Sequence, residues 1–367
     1  CGSSSASLAR DYNETNCGEG FDLADLALTG AQGKLIKAIH ATGKPVILVL
    51  VTGKPFSIAW EKKHIPAILI QWYAGEQEGS SIANILFGKT NPSGHLTVSF
   101  PQSSGHLPAY YNHLPTDRGF YHKPGSYEQP GRDYVFSSPG PLWAFGHGLT
   151  YTTFNYTDMQ IQQSVDSIKV FVTVKNTGRW AGKAVPQLYV RDVFSSISTP
   201  VKQLKAFNKV ALEPGETTRV PLHFAVQDLA LTDEAGKTMV EPGSFEIMIG
   251  DASDHILLKQ TISIGQNMAV SPCSIKEQLP EEIGKGNIIH IKGVVRDVQA
   301  TPVDKVEIYS TAQQQVIGVT DQNGKYFIDA PEDDVLVFCK SGYLDEKVNV
   351  DRKNDIQITI RNKMVFP

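Results

Sequence analysis

Glu19 is the carboxylate most readily set up for proton transfer in this chain. It stands in Cys17-Gly18-Glu19-Gly20-Phe21-Asp22, with glycine on either side, just ahead of a well-signalled helix. Flanking glycines open backbone conformations closed to other residues and leave room for a ligand against the main chain. A carboxyl buried in such a loop rises in pKa, which suits it to protonate a departing group. The same triplet also occurs in surface turns, where its acid is merely solvated, so the surrounding elements decide between the two readings.

Other chemistry-bearing residues have structural readings. Glu14 is the nearest alternative acid in the same segment. Glu76 and Glu78 follow Gly75 and are expected in the first turn of a helix, where negative charge meets the positive end of the macrodipole. Trp72 and Tyr73 end an apolar run and offer flat faces to a sugar, although aromatic residues at strand ends more often belong to core or rim. Asp22 reads as a brace for the loop or its neighbouring helix, and Arg132 with Asp133 as an ion pair at a domain seam. No G-x-S-x-G elbow is present, so a Ser/His/Asp hydrolase reading has no support. The four cysteines, Cys1, Cys17, Cys273 and Cys339, lack CxxC or metal-ligand spacing, so no zinc is expected and disulfide pairing stays open.

The elements around Glu19 alternate. Thr29 and Gln32 form a capping box, and Leu35, Ile36 and Ile39 give the apolar stripe of a helix that Gly43 and Pro45 stop. The run Val46 to Val51 is continuous and β-branched, the mark of a parallel strand buried on both faces. A short segment from Pro55 to Lys62 leads to a second strand, Ala67 to Ile70, then a helix from about Ser80 to Phe87 and a third strand, Leu96 to Phe100. Strand, helix and strand at this spacing imply a parallel α/β sheet, in which ligands sit beyond the carboxyl ends of the strands. The segment holding Glu19 follows the strand that Cys1 terminates, which puts it at that edge.

After a Pro/Gly-rich aromatic stretch the period changes to two. Ile168, Val170, Val172 and Val174 alternate with polar or outward residues, and runs at Gln187 to Val190, Val220 to Phe224 and Phe245 to Ile249 are punctuated by Glu-Pro-Gly turns. These predict an antiparallel sandwich. A polar linker follows. A smaller β domain is expected beyond it, from Ile289 to Val295, Lys305 to Tyr309, Lys325 to Ile328, Val335 to Phe338 and Ile356 to Ile360, with Asp321-Gln322-Asn323-Gly324 as a hairpin turn.

Composition sets the limits. At 367 residues, two or three domains are expected, and 41% hydrophobic with 20% charged residues is the balance of a globular chain with a sizeable core. The net charge of −4 and the absence of a basic cluster argue against nucleic acid, and no stretch approaches the roughly 20 apolar residues that span a bilayer. Cys1-Gly2-Ser3-Ser4-Ser5 reads as the exit of a strand, which predicts a fragment whose sheet lacks its first strand and leaves an unpaired edge.

The residues taken together resemble the carboxyl-terminal portion of glycoside hydrolase family 3, the β-glucosidase and β-xylosidase family. The resemblance is carried by Gly18-Glu19-Gly20-Phe21-Asp22, Gly43-Lys44-Pro45-Val46 and Trp72-Tyr73-Ala74-Gly75-Glu76-Gln77-Glu78-Gly79. It continues in Leu86-Phe87-Gly88, Asn91-Pro92-Ser93-Gly94, Phe100-Pro101 and Phe145-Gly146-His147-Gly148-Leu149-Thr150-Tyr151. It runs on through Asn176-Thr177-Gly178, Gln187-Leu188-Tyr189-Val190, Leu212-Glu213-Pro214-Gly215 and Val240-Glu241-Pro242-Gly243, the signature of the family's fibronectin-III-like module. Leu23 follows Asp22 where family members usually carry arginine, and His147 stands where they often carry tyrosine. The last segment, through Gly293-Val294-Val295-Arg296-Asp297, Thr320 to Tyr326 and Gly342-Tyr343, is similar to carboxypeptidase-regulatory-like β-sandwiches.

The resemblance implies an α/β parallel-sheet sandwich domain over 1–155, a fibronectin-III-like domain over 156–265, a linker over 266–286 and a β-sandwich over 287–367. It implies a retaining exo-β-glycosidase acting on terminal β-D-glucosides or β-D-xylosides, with Glu19 as general acid/base and no cofactor. The aspartate nucleophile is then supplied by an N-terminal barrel outside these residues, so the isolated chain is expected to turn over little substrate. A periplasmic or secreted location is the matching expectation. The alternative is a non-catalytic carbohydrate-binding or scaffold fragment.

Overall fold

The computed structural model describes residues 1–2, 23–115, 137–234, 236–265, 268–269, 286–313, 315–340 and 343–361. Most of the regular structure is β-sheet, with three α-helices among the described residues. The chain divides into two compact units, Cys1–Leu229 with Pro242–Gln266, and Ala230–Glu241 with Asn267–Pro367.

Unit 1 opens with the alternating elements. Helix α1 (Gln32–His40), strand β1 (Ile47–Leu50), helix α2 (Ala59–His64), strand β2 (Ala67–Ile70) and helix α3 (Glu78–Leu86) follow in order. β1 and β2 pair in parallel, Ile47 opposite Ala67 through Leu50 opposite Ile70, as the β-branched runs predict. One core serves them, gathering Ile36, Leu48, Leu50, Phe56, Ile58 and Ile65 with Phe100 and Leu142. Burial of each such side chain contributes about 1.5–3 kcal/mol.

Three expectations are corrected here. β1 is not buried on both faces, because the described residues bring this core to one face only and Ile47 stays 55% exposed. The α1 stripe is narrower than its sequence suggests: Ile36 is buried while Leu35 and Ile39 are exposed. Leu96 to Phe100 forms no regular strand of the parallel sheet. Its backbone instead bonds to residues 142–147, with Phe100 amide to the Trp143 carbonyl at 2.8 Å, Leu96 amide to the His147 carbonyl at 2.8 Å and Gly146 amide to the Leu96 carbonyl at 2.7 Å.

The rest of unit 1 follows the period-two reading. Strands Phe154–Gln163, Ser167–Asn176 and Thr217–Ala225 form one antiparallel sheet, and His255–Ile264, Gly243–Ala252, Gln187–Asp192 and Gln203–Phe207 another. Their alternate residues Val170, Val172, Val174, Leu188, Ile247 and Ile249 are buried.

Unit 2 contains a sheet in which Ile288–Asp297 lies between Lys325–Pro331 and Ile358–Ile360, and a second sheet ordered Gln315–Val319, Glu307–Ser310, Val335–Cys339, Glu346–Asn349. Ile291, Val295, Ile308, Ile328, Leu336, Phe338 and Ile358 from both sheets share one core. Asp321 Oδ1 accepts the amides of Asn323 and Lys325, each at 2.8 Å, and Gly324 takes a left-handed φ of 69°, which builds a tight turn at Asp321 to Gly324. The expected hairpin is corrected, because the turn carries the chain from Gln315–Val319 in one sheet to Lys325–Pro331 in the other. Cys339 is disulfide-bonded, and Cys1 is a free, exposed thiol.

Candidate active site

The carboxyl ends of the parallel strands hold the anchors of the segment that contains Glu19. Gly2 makes an isolated parallel bridge with Val51, and the Val51 amide donates to the Cys1 carbonyl at 2.9 Å, so these first residues lie alongside the end of β1. The Gln32 side chain clamps Gly2. Its Oε1 accepts the Gly2 amide at 2.6 Å and its Nε2 donates to the Gly2 carbonyl at 2.9 Å. The expected Thr29/Gln32 capping box is correspondingly displaced, Gln32 keeping only a 3.3 Å bond to the Thr29 hydroxyl. No side chain caps α1. Position 2 must be glycine: φ is 143° and a Cβ would lie 1.7 Å from the Val51 carbonyl oxygen.

The far side of the segment is tied down as well. The Leu26 amide donates to Ser104 Oγ at 3.1 Å, the Ser57 amide donates to the Leu26 carbonyl at 2.8 Å, and Asp25 Oδ1 accepts the Ala27 amide at 3.0 Å. Glu19, Glu14 and Asp22, like Arg132 and Asp133, lie outside the described residues. What the fold fixes is where that segment leaves and returns.

Two turns border the same edge. After β1, buried Thr52 closes a local turn, its hydroxyl donating to the Lys54 carbonyl at 2.7 Å and accepting the Lys54 amide at 3.0 Å. After β2, Trp72 takes φ of 57°, a left-handed conformation that costs a bulky residue about 1–3 kcal/mol. Its ring packs on Phe100 at 6.2 Å, which helps hold it there. Half-exposed Tyr73 lies over Gly53, where a Cβ would come within 2.8 Å of its ring. Of the acids beyond, Glu78 falls in the first turn of α3, as its spacing predicts, and Glu76 just precedes the helix.

Several of the motifs that looked most distinctive build a seam rather than a site. Asn91 Oδ1 accepts the Thr150 hydroxyl at 2.6 Å and the Tyr151 amide at 2.8 Å, while its Nδ2 donates to the Ala181 carbonyl at 2.9 Å. Gln187 Nε2 donates to the carbonyls of Gly146 at 3.0 Å and Asp251 at 2.7 Å, and Gln187 Oε1 accepts the Tyr189 hydroxyl at 2.5 Å. Asn176, fully buried, bonds Thr152, Trp180 and Leu212. These contacts join the alternating region to the antiparallel sheets within unit 1. His147 belongs to this seam, its carbonyl taking the Leu96 amide.

Burial holds the His147 pKa below its usual 6.5. The Lys62 ammonium and the His95 ring push the same way, and the Asp254 and Asp251 carboxylates oppose them. The folded state therefore favours the neutral ring, so this group's contribution to stability is complete above about 6.5 and declines as pH falls through the lowered folded value. Urea midpoints measured across that window are expected to fall more steeply with acidification in the parent than in His147→Gln. Identical slopes would remove His147 as a source of acid sensitivity.

Cavities in unit 1 of about 320 Å³, lined in part by Tyr110, Tyr111, Arg191 and Glu246, and of about 400 Å³, lined by residues 204–208 and 221–223, do not include the strand-end residues. Sequence reasoning missed the Gln32 clamp and the Trp72 conformation. No helix among the described residues is long and apolar enough to cross a membrane, and no group of three metal-ligating side chains occurs among them.

Comparison with known proteins assigns this architecture. Residues 6–151 match the glycosyl hydrolase family 3 C-terminal domain and residues 184–253 the fibronectin type III-like domain. A β-xylosidase of Formosa agariphila is 42% identical over 253 residues, 68% of this chain and 34% of that protein. A periplasmic β-glucosidase of Salmonella typhimurium is 40% identical over 243 residues, 65% of this chain and 31% of its own length. The crystal structure of a β-glucosidase from Listeria innocua in complex with glucose superposes with a TM-score of 0.62 at 34% identity, covering 68% of this chain and 35% of that one. The chain thus spans about a third of the length of these relatives. With both matched domains in sequence and a likeness to solved β-glucosidases across two thirds of its length, the chain carries the C-terminal domain of glycosyl hydrolase family 3 followed by a fibronectin type III-like domain.

Proposed function

We propose that the protein containing this chain is a retaining exo-β-glycosidase acting on terminal β-D-glucosides or β-D-xylosides, with Glu19 as its general acid/base. One observation carries the reading. The family match takes in the Gly18-Glu19-Gly20 motif, and the residues on either side of that segment are pinned at the carboxyl edge of the parallel strands, where α/β sheets hold ligands.

In this reading Glu19 protonates the departing oxygen while a carboxylate from a barrel outside these residues attacks the anomeric carbon, forming a glycosyl-enzyme. Water, deprotonated by the same Glu19, then releases the sugar with retained configuration. The isolated chain has one half of this pair and turns over little substrate. Its domains are 1–155 (α/β parallel-sheet sandwich), 156–265 (fibronectin-III-like), 266–286 (linker) and 287–367 (β-sandwich). A periplasmic or secreted setting accords with the periplasmic relative and with the Cys339 disulfide, since such bonds persist in oxidising compartments.

Proton NMR of the sugar first released from an aryl β-glucoside or β-xyloside by the protein joined to its upstream region tests the mechanism. The β-anomer is expected to appear before mutarotation. First appearance of the α-anomer would rule out a retaining pathway.

A further inference from the structure

Unit 2 carries a surface that neither its core nor the glycosidase chemistry uses. Along Lys325–Pro331, Tyr326 and Ile328 point inward and are 5% and 3% exposed, whereas Phe327 between them is 71% exposed. A large ring kept that far in water on a rigid strand is the informative kind of exposure, since the inward positions already satisfy the core. The His290 ring on the adjacent strand lies within 15° of parallel to it, centroids 5.9 Å apart. His290 Nδ1 bonds the carboxylate of Asp329, the residue directly opposite in register, so the imidazole is held in place beside the phenyl ring.

A shallow groove of about 470 Å³ runs beside this pair between Lys325–Pro331 and Gln315–Val319, each the outer strand of its sheet. Its rim is made of planar polar groups. Gln313 Nε2 donates to the Asp329 carbonyl at 3.3 Å, and Gln315 Nε2 donates to Gln313 Oε1 at 3.3 Å. Gln315 Oε1 and the second Asp329 oxygen have no hydrogen-bond partner among the described residues. Both amides also keep an N–H to give.

An aromatic face bordered by amides and a carboxylate is matched by a neutral ligand with an apolar face and a rim of hydroxyls. Asp329 disfavours phosphate and other anions, and no cluster of metal ligands is present among the described residues. We propose that unit 2 binds a pyranose chain in this groove, with sugar rings stacked on Phe327 and hydroxyls bonded to Gln313, Gln315 and Asp329; that the chain is β-linked rests on the substrate class proposed above. The site holds polymer and performs no chemistry, and it does not depend on the role assigned to Glu19.

Affinity electrophoresis of the 367-residue chain in native gels containing soluble mixed-linkage β-glucan, soluble xylan or α-linked dextran tests this. Retardation is expected with β-glucan or xylan and not with dextran. Phe327→Ala weakens it at least tenfold at an unchanged thermal midpoint, Phe327→Tyr retains it, Gln315→Ala weakens it several-fold, and Glu19→Ala leaves it intact. Absence of retardation by both β-linked polymers overturns the proposal, as does equal retardation of the parent and Phe327→Ala. So does a Phe327→Ala effect confined to self-association in sedimentation, which would mark the open strands as a protein contact. None of these outcomes involves turnover, so failure here leaves the glycosidase reading standing.

Discussion

In the protein joined to its upstream region, Glu19→Ala lowers kcat/KM roughly 10²–10⁴-fold on alkyl or disaccharide substrates and far less on a dinitrophenyl glycoside. The contrast follows from what an acid contributes. An alkoxide leaving group must gain a proton as the glycosidic bond breaks, whereas a dinitrophenolate leaves without one. The ratio kcat/KM isolates the first step, while kcat falls for every substrate because the same residue must deprotonate water in the second step. Azide needs no base, so added azide restores kcat on the activated substrate and yields a β-glycosyl azide. An equal loss of kcat/KM on good and poor leaving groups, with no azide rescue, would exclude Glu19 as the proton donor. Gln32→Ala separates position from chemistry. It unclamps Gly2 but leaves the carboxyl in the protein, so it slows turnover without introducing leaving-group dependence or azide rescue.

How far the fold is legible in the residues depends on whether a pattern is local. Ser167–Asn176 reads correctly because alternation is a property of one strand and both strand faces differ in burial along its length. The turn at Asp321 to Gly324 reads correctly as a turn because its own carboxylate builds it, but not as a hairpin, since the strands it joins pair in different sheets. Leu96 to Phe100 has the composition of a strand, but its bonds go to a loop more than 40 residues away, and periodicity carries no information about partners. Gln32 fits a capping box by spacing, yet Gly2 offers it two backbone bonds at once, a tertiary arrangement that outcompetes the local one. The apolar breadth of α1 is also misleading about burial, since Leu35 and Ile39 face away from the core that takes Ile36.

The same distinction explains why the chain is easier to assign to a family than to a site. Gly146, Asn176 and Gln187 are distinctive because buried polar seams admit few solutions: each amide must find its carbonyl, and each carbonyl its donor. Such residues identify an architecture strongly and say little about chemistry. Glu19 owes its reading to a short motif and to the edge on which its segment is mounted.

Gly146→Ala is expected to destabilise unit 1 by about 3–5 kcal/mol. Two costs combine. The backbone φ of 84° is left-handed, and a Cβ there would stand 2.1 Å from Gln187 Oε1 and 2.9 Å from the Tyr189 hydroxyl. The Gln187 amide is not a free end that swings aside, because its nitrogen serves the carbonyls of Gly146 and Asp251 while its oxygen takes the Tyr189 proton. Moving it strands buried polar groups, each at about 1–3 kcal/mol. Urea denaturation of the parent, Gly146→Ala, Gln187→Ala and the double variant separates the two costs. Much of the penalty at Gly146 passes through Gln187, so the double variant is less destabilised than the sum of the single ones, leaving mainly the backbone strain. A Gly146→Ala midpoint within error of the parent, or strict additivity with Gln187→Ala, would show that the seam is not held in the way these distances imply.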